Sequence, residues 1–165
     1  MCEALRKLIR GEPVGFEMDE VMTGTHRFEG GAGPAGELEL TFRVTWGTAS
    51  LWPYFDPRSP AFLSNCLRGT VTVGGLVENA VCAGKLDLRY FQEGKLRYTF
   101  DFVGTGGEPY HFVGEKVGIR PWNLHRTHTT CYGVITDAAG QVVSRSVTYF
   151  RLSAIPAFLR SFRLK

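Results

Sequence analysis

The stretch ELELTFRVTWG alternates without a slip: Leu38, Leu40, Phe42, Val44 and Trp46 fall on one side, and Glu37, Glu39, Thr41, Arg43 and Thr45 on the other. A period of two places successive side chains on opposite faces of a strand, whereas a helix would scatter the same residues around its circumference. In FEMDEVMTGTHRF, Phe16, Met18, Met22, His26 and Phe28 likewise share a face, and GGAGPAG breaks the chain after them. Pro53, Pro57 and Pro60 exclude a central strand from TASLWPYFDPRSPAFLSN, which reads as a long connection with one helical turn near PAFLSN. Its Trp52, Tyr54, Phe55 and Phe62 are expected to plug the fold. RGTVTVGGL, VCAGKLDLRYF, KLRYTFDFVG, PYHFVGEKVGI, THTTCYGVIT and QVVSRSVTYFRL then follow as strands, with turns at Glu93-Gly94, Gly106-Gly107 and Ala139-Gly140.

About eight strands without helical crossovers point to an all-β, single-domain, antiparallel up-and-down β-barrel, lipocalin-like by analogy, or to a curled sheet, rather than to a parallel α/β fold. Its 165 residues suffice to bury one sizeable core. The expected divisions are an N-terminal helix or arm over 1–13, the barrel over 14–152 and an amphipathic C-terminal helix over 153–165. The first helix has Leu5, Leu8 and Ile9 on one side and stops at Gly11 and Pro13. In the last, Pro156 fits the first turn, and Ile155, Phe158, Leu159 and Phe162 form an apolar side. Single glycines inside strands (Gly24, Gly84, Gly114, Gly133) point to close coiling where a sheet shuts on itself, weighed above room for a ligand.

The net charge is +3, but the first ten and last fifteen residues carry +2 and +4, leaving the body at −3. A nucleic-acid binder needs its positive charge spread over a face of the fold, so nucleic acid is not an expected partner. The segment MCEALRKLIRGEP is too charged for a secretory signal. Cys2, Cys66, Cys82 and Cys131 lack CxxC spacing, so free thiols in a cytoplasmic protein are expected. The basic C-terminal helix reads as a solvated lid, with peripheral contact to anionic lipid as its alternative.

His125 and His128 lie three apart, with Cys131 three further on; in a strand that spacing sends the two histidines to opposite faces. With only His26 and His111 elsewhere, no metal site is assigned. Cys131 with His128 or His111 and Asp101 or Glu115 lacks any local catalytic signature, and a buried strand cysteine behaves as a small hydrophobe. GTGGEP and VGGLVEN are turns rather than phosphate cradles, so no cofactor is assigned. Glu20 is more informative because it interrupts an apolar strand face. One of Glu115 and Lys116 must also point inward, and an inward lysine paired with Glu20 or Asp87 is either a structural ion pair or the polar end of a cavity.

Phe16-Glu17 with Met22 and Gly24, Leu96-Arg97-Tyr98, Gly114-Glu115-Lys116-Val117, the run Asn123 to Tyr132, and Ile155-Pro156-Ala157-Phe158-Leu159 together resemble a β-rich module. That module accompanies cholesterol-oxidase-like flavoproteins of the glucose-methanol-choline oxidoreductase group in bacteria. His125 stands where the module has Trp, and His128 where it has Thr, so both read as packing variants. Thr127 replaces an acid, and any role of that carboxylate is not carried over. The resemblance implies an accessory barrel linked to sterol or other lipid metabolism, with a flavoprotein oxidoreductase as partner.

The expected function is binding of a small hydrophobic, lipid- or sterol-like molecule in an interior lined by Phe42, Val44, Trp46, Leu88, Tyr98, Phe100 and Phe112, with Glu20 and Lys116 as polar contacts. The alternatives are a barrel-type isomerase or cyclase using Glu20, Lys116 or a histidine, and a ligand-free docking module for an oxidoreductase. No catalytic residue is assigned.

Overall fold

A computed structural model describes residues 7, 9–118 and 130–165. The alternating segments form β1 (Phe16–Phe28), β2 (Leu38–Thr48), β3 (Ser64–Val73), β4 (Val77–Arg89), β5 (Lys95–Val103), β6 (Pro109–Lys116), β7 (Thr130–Asp137) and β8 (Val142–Phe150). Each pairs antiparallel with the next, and β8 pairs back onto β1 from Met22↔Phe150 to Phe28↔Ser144, closing an eight-stranded barrel. At 13 residues β1 outruns β8, and its free start, Phe16 and Glu17, is covered by a two-residue β9 (Arg163–Leu164). Between these two partners, Met18 to Val21 have no strand on that side, and the Asp19 N–H donates to the Ser161 hydroxyl instead.

Because neighbouring strands run in opposite directions, all connections after even-numbered strands gather at one end. That end carries α1 (Leu51–Phe55), α2 (Tyr90–Glu93), a 3-10 turn (Leu152–Ala154) and α3 (Ile155–Arg160); it is called the helical end below. The other, the turn end, carries the connections 29–37, 74–76, 104–108 and 138–141. Among the described residues no helix is long and apolar enough to cross a membrane.

The connection after β2 departs from expectation. Its helix is LWPYF, while PAFLSN carries hydrogen-bonded turns, Phe62 N–H to the Ser59 carbonyl and Ser64 N–H to the Ala61 carbonyl, rather than a helix. Pro53 sits in the first turn, where its missing N–H has no intrahelical partner to lose. Only Tyr54 of the four plugging candidates is buried; Phe62 is half-buried, while Trp52 and Phe55 face solvent. The expected C-terminal helix is shorter too. Phe158 packs edge-on against Phe150, with ring centroids 5.5 Å apart, and Phe162 stacks on Phe16, but Ile155 and Leu159 point outward. The N-terminal segment 1–6, Leu8 and the tract 119–129, with His125 and His128, lie outside the described residues.

The barrel's waist is filled by side chains. Phe42 of β2 meets Tyr98, Phe100 and Phe112 of β5 and β6 at centroid distances of 5.7, 5.5 and 5.6 Å, and Phe100 stacks on Phe112 at 4.5 Å. All four rings are fully buried, and each burial stabilises the fold by roughly 1.5–3 kcal/mol. The strand glycines serve both closure and this plug. A Cβ on Gly84 would lie 1.9 Å from the Thr99 carbonyl oxygen, so the β4–β5 approach requires glycine there. At Gly133 it would lie 2.6 Å from the Phe112 ring: that glycine makes room for an aromatic side chain of the same protein.

Candidate functional site

Four polar side chains from four strands meet above the plug, on its helical side. Alternation along β6 sends Phe112, Gly114 and Lys116 inward and leaves Glu115 outside, bound to Arg97 at 2.7 Å and Lys95 at 3.4 Å. Lys116, inward, donates to Glu20 Oε1 at 2.9 Å. Asp87 is occupied elsewhere, accepting the Ser64 hydroxyl at 2.6 Å.

The Glu20 carboxylate is the hub. Tyr98 donates its hydroxyl from 3.0 Å to both oxygens, and the Trp46 indole N–H donates to Oε2 at 3.1 Å. Trp46 and Glu20 are diagonal neighbours across β1 and β2, since Glu20 opposes Val44. Lys116 and Tyr98 are diagonal neighbours across β5 and β6, since Lys116 opposes Leu96. The carboxylate thus ties opposite walls of the barrel together. The Lys116 ammonium also lies over the rings of Tyr98 and Phe150, 5.2 and 5.9 Å from their centroids, a favourable placement against their negative faces. With side chains only 3% and 6% exposed, Lys116 and Glu20 form a buried pair rather than a solvated one.

The surrounding hydroxyl and thiol groups stay protonated. Burial, reinforced by the Glu20 charge, raises the Tyr98 phenol well above its usual range, and Tyr90 is raised for the same two reasons. Burial pushes the Cys131 thiol up to about 12 despite the opposing Lys116 charge. That removes the thiolate a nucleophilic mechanism needs. The site therefore offers one anion, one cation and several neutral donors inside an apolar rim.

Of the residues expected to contact a ligand, Glu20, Trp46, Tyr98 and Lys116 converge here. Val44 is buried and Leu88 half-buried against the same core, towards the same end. Phe42, Phe100 and Phe112 form the plug below. Sequence reasoning overlooked two rim residues. Phe150 was legible, because Ser144, Ser146, Thr148 and Phe150 continue the inward alternation of β8. Tyr90 was legible too, because it continues the inward alternation of Cys82, Leu86 and Leu88, and it keeps that side although the strand ends at Arg89 and Tyr90 opens the helical turn α2.

The other candidate chemistry separates. His26 is buried at the turn end, its Nε2 3.0 Å from the Gly74 carbonyl and its Nδ1 2.7 Å from the Ser144 hydroxyl. The carbonyl can only accept, so Nε2 carries the proton and Nδ1 accepts from Ser144. Burial lowers the His26 pKa, with the Gly74 hydrogen bond opposing, and keeps the ring neutral. His111 lies on the outer face with Asp101 as its partner, remote in orientation from the inward Cys131. Among the described residues no three His, Cys, Asp or Glu side chains are grouped to hold a metal ion.

Compared with protein-family models, with curated proteins and with solved structures, the chain finds no match in any of the three.

Proposed function

We propose that the barrel binds one small, largely apolar molecule at its helical end, with the molecule's polar group against the Glu20, Lys116, Tyr98 and Trp46 cluster. The observation that carries this reading is the buried ion pair itself. Two charges withdrawn from water cost several kcal/mol each, and apolar side chains of the same volume often give an equal or more stable fold. A pair kept in an apolar barrel end, with neutral donors already aimed at it, has the composition of a specific binding site: mostly apolar walls and a few convergent polar groups. The aromatic plug limits the occupant to the half of the barrel above it. A lipid- or sterol-like molecule with a hydroxyl, carbonyl or carboxylate fits that division. The likeness to modules that accompany sterol-oxidising flavoproteins supports the same class.

Native mass spectrometry of the protein purified from its own cells tests this. The expected result is a lipid adduct that Lys116→Met loses while the fold survives. An empty protein, whose Trp46 emission is also unmoved by oleate or cholesterol, overturns the reading. If that empty protein instead holds an oxidoreductase, the docking role takes its place.

A further inference from the structure

The two ends of the barrel carry opposite charge in their connections. Among the described residues, the helical end has seven basic side chains: Lys7 and Arg10 before β1, Arg58 between β2 and β3, and Arg151, Arg160, Arg163 and Lys165 after β8. Against these stand Glu12, Asp56 and Glu93. The connections of the turn end hold Glu29, Glu37 and Glu108 and no base. Some of the cations are used internally: Arg163 and Lys165 pair with the start of β1 through the buried Glu17, and Arg10 pairs with Glu12. Arg58, Arg151 and Arg160 are exposed and make no ion pair among the described residues.

Large apolar side chains are exposed at the same end. Trp52 (83% exposed) and Phe55 come from α1, Phe91 (84%) from α2, and Leu152 and Leu159 from the segment after β8. The turn end exposes only Val103 and Val142 of this kind among the described residues. Single exposed hydrophobes are ordinary, but three separate connections bringing them to one end, among unpaired arginines, are not. A surface that offers negative charge and an apolar interior together answers both features. A second copy meeting this one end to end would oppose two positive ends, so self-association is disfavoured on charge.

We infer that the protein docks reversibly on anionic lipid bilayers by its helical end. Trp52, Phe55, Phe91, Leu152 and Leu159 enter the headgroup region, and Arg58, Arg151 and Arg160 meet lipid phosphates and carboxylates. The acidic turn end faces away. This inference does not depend on a ligand entering the barrel, since every residue it uses is external.

Co-sedimentation of the full chain with vesicles, either of phosphatidylcholine alone or of phosphatidylcholine mixed with phosphatidylserine, provides the test. Binding is expected to the mixed vesicles, to fall as salt is raised, and to weaken about fivefold for each of Arg151→Ser and Arg160→Ser. A blue shift of tryptophan emission on binding should vanish in Trp52→Phe, and Phe91→Ser should weaken binding without altering the fold. Equal binding to both vesicle types, no binding to either, or undiminished binding of the Arg151→Ser/Arg160→Ser chain overturns the inference. A lipid-free dimer abolished by Trp52→Ser overturns it as well, assigning this end to a second copy.

Discussion

Lys116→Met keeps a side chain of similar length and removes one charge of a pair whose members are 3% and 6% exposed. Glu20 then retains Tyr98 and Trp46 as donors but loses the ammonium at 2.9 Å. Breaking a buried pair from one side costs about 3–5 kcal/mol, because the remaining ion stays desolvated without its counter-charge. With a urea dependence of about 2 kcal/mol per molar for a domain of this size, the unfolding midpoint should fall by about 1.5–2.5 M. Removing both charges is a different perturbation. In Glu20→Gln/Lys116→Met the amide oxygen still accepts from Tyr98 and Trp46, and no buried ion is left, so most of the lost stability should return. Equilibrium urea unfolding at neutral pH, followed by tryptophan emission, measures all three chains. A loss below about 1 kcal/mol in Lys116→Met, the range of exposed pairs, would refute the burial argument. So would a double variant no more stable than the single one.

Three further outcomes follow from the packing and protonation described above. His26 has a folded-state pKa lowered by burial, so on acidification the unfolded chain takes up the proton first; stability present above about pH 6.5 is lost below it at up to about 1.4 kcal/mol per pH unit. Urea midpoints between about pH 8 and pH 5.5 should show that slope in the native chain and a shallower one in His26→Gln, and equal slopes would contradict it. Gly84→Ala should destabilise more than Gly133→Ala, because its Cβ meets a backbone carbonyl at 1.9 Å whereas the other meets the Ser146 hydroxyl and the Phe112 ring, which can shift; thermal melts that rank them the other way would show that the β4–β5 approach relaxes freely. Peptide mapping after brief treatment with Ellman's reagent near neutral pH should find Cys66 modified and Cys82 and Cys131 untouched, since Cys66 is exposed and burial holds the other two thiols up to about 11 and about 12.

The alternation that identified β2 also predicted which of its residues face the core, because one register serves the whole strand once one face is dry. The same logic forced one of Glu115 and Lys116 inward and marked Glu20 as an anomaly on an apolar face. It could not choose between Glu20 and Asp87 as the lysine's partner. That choice depends on which walls of a closed barrel oppose each other, and closure involves pairings as distant as Phe28 with Ser144. The connection after β2 misled for a related reason. Apolar content there suggested burial, but Trp52 and Phe55 sit on a five-residue helix whose inward side Tyr54 occupies. Composition registers apolar content without registering which way a short helix is turned.

The plug explains why the ion pair and the helices belong to one end. Phe42, Phe100 and Phe112 seal the waist, so a polar group above it reaches solvent only by the helical end and is insulated from His26 and Ser144 below. In an up-and-down barrel every connection after an even-numbered strand closes that same end, so three connections distant in the sequence can be varied together around one opening. Here those connections supply the exposed aromatic residues and the unpaired arginines, while two of them also supply the rings that crowd the rim: Tyr90 from α2, and Phe158 from α3 beside Phe150. The cover over Glu20 and Lys116 and the exposed apolar and basic surface of that end are therefore built from the same short segments. A displacement of α3 that moved Leu159 would also move Phe158 off Phe150, the ring over which Lys116 sits. Two aromatic side chains in contact thus bridge the outer helix and the buried pair.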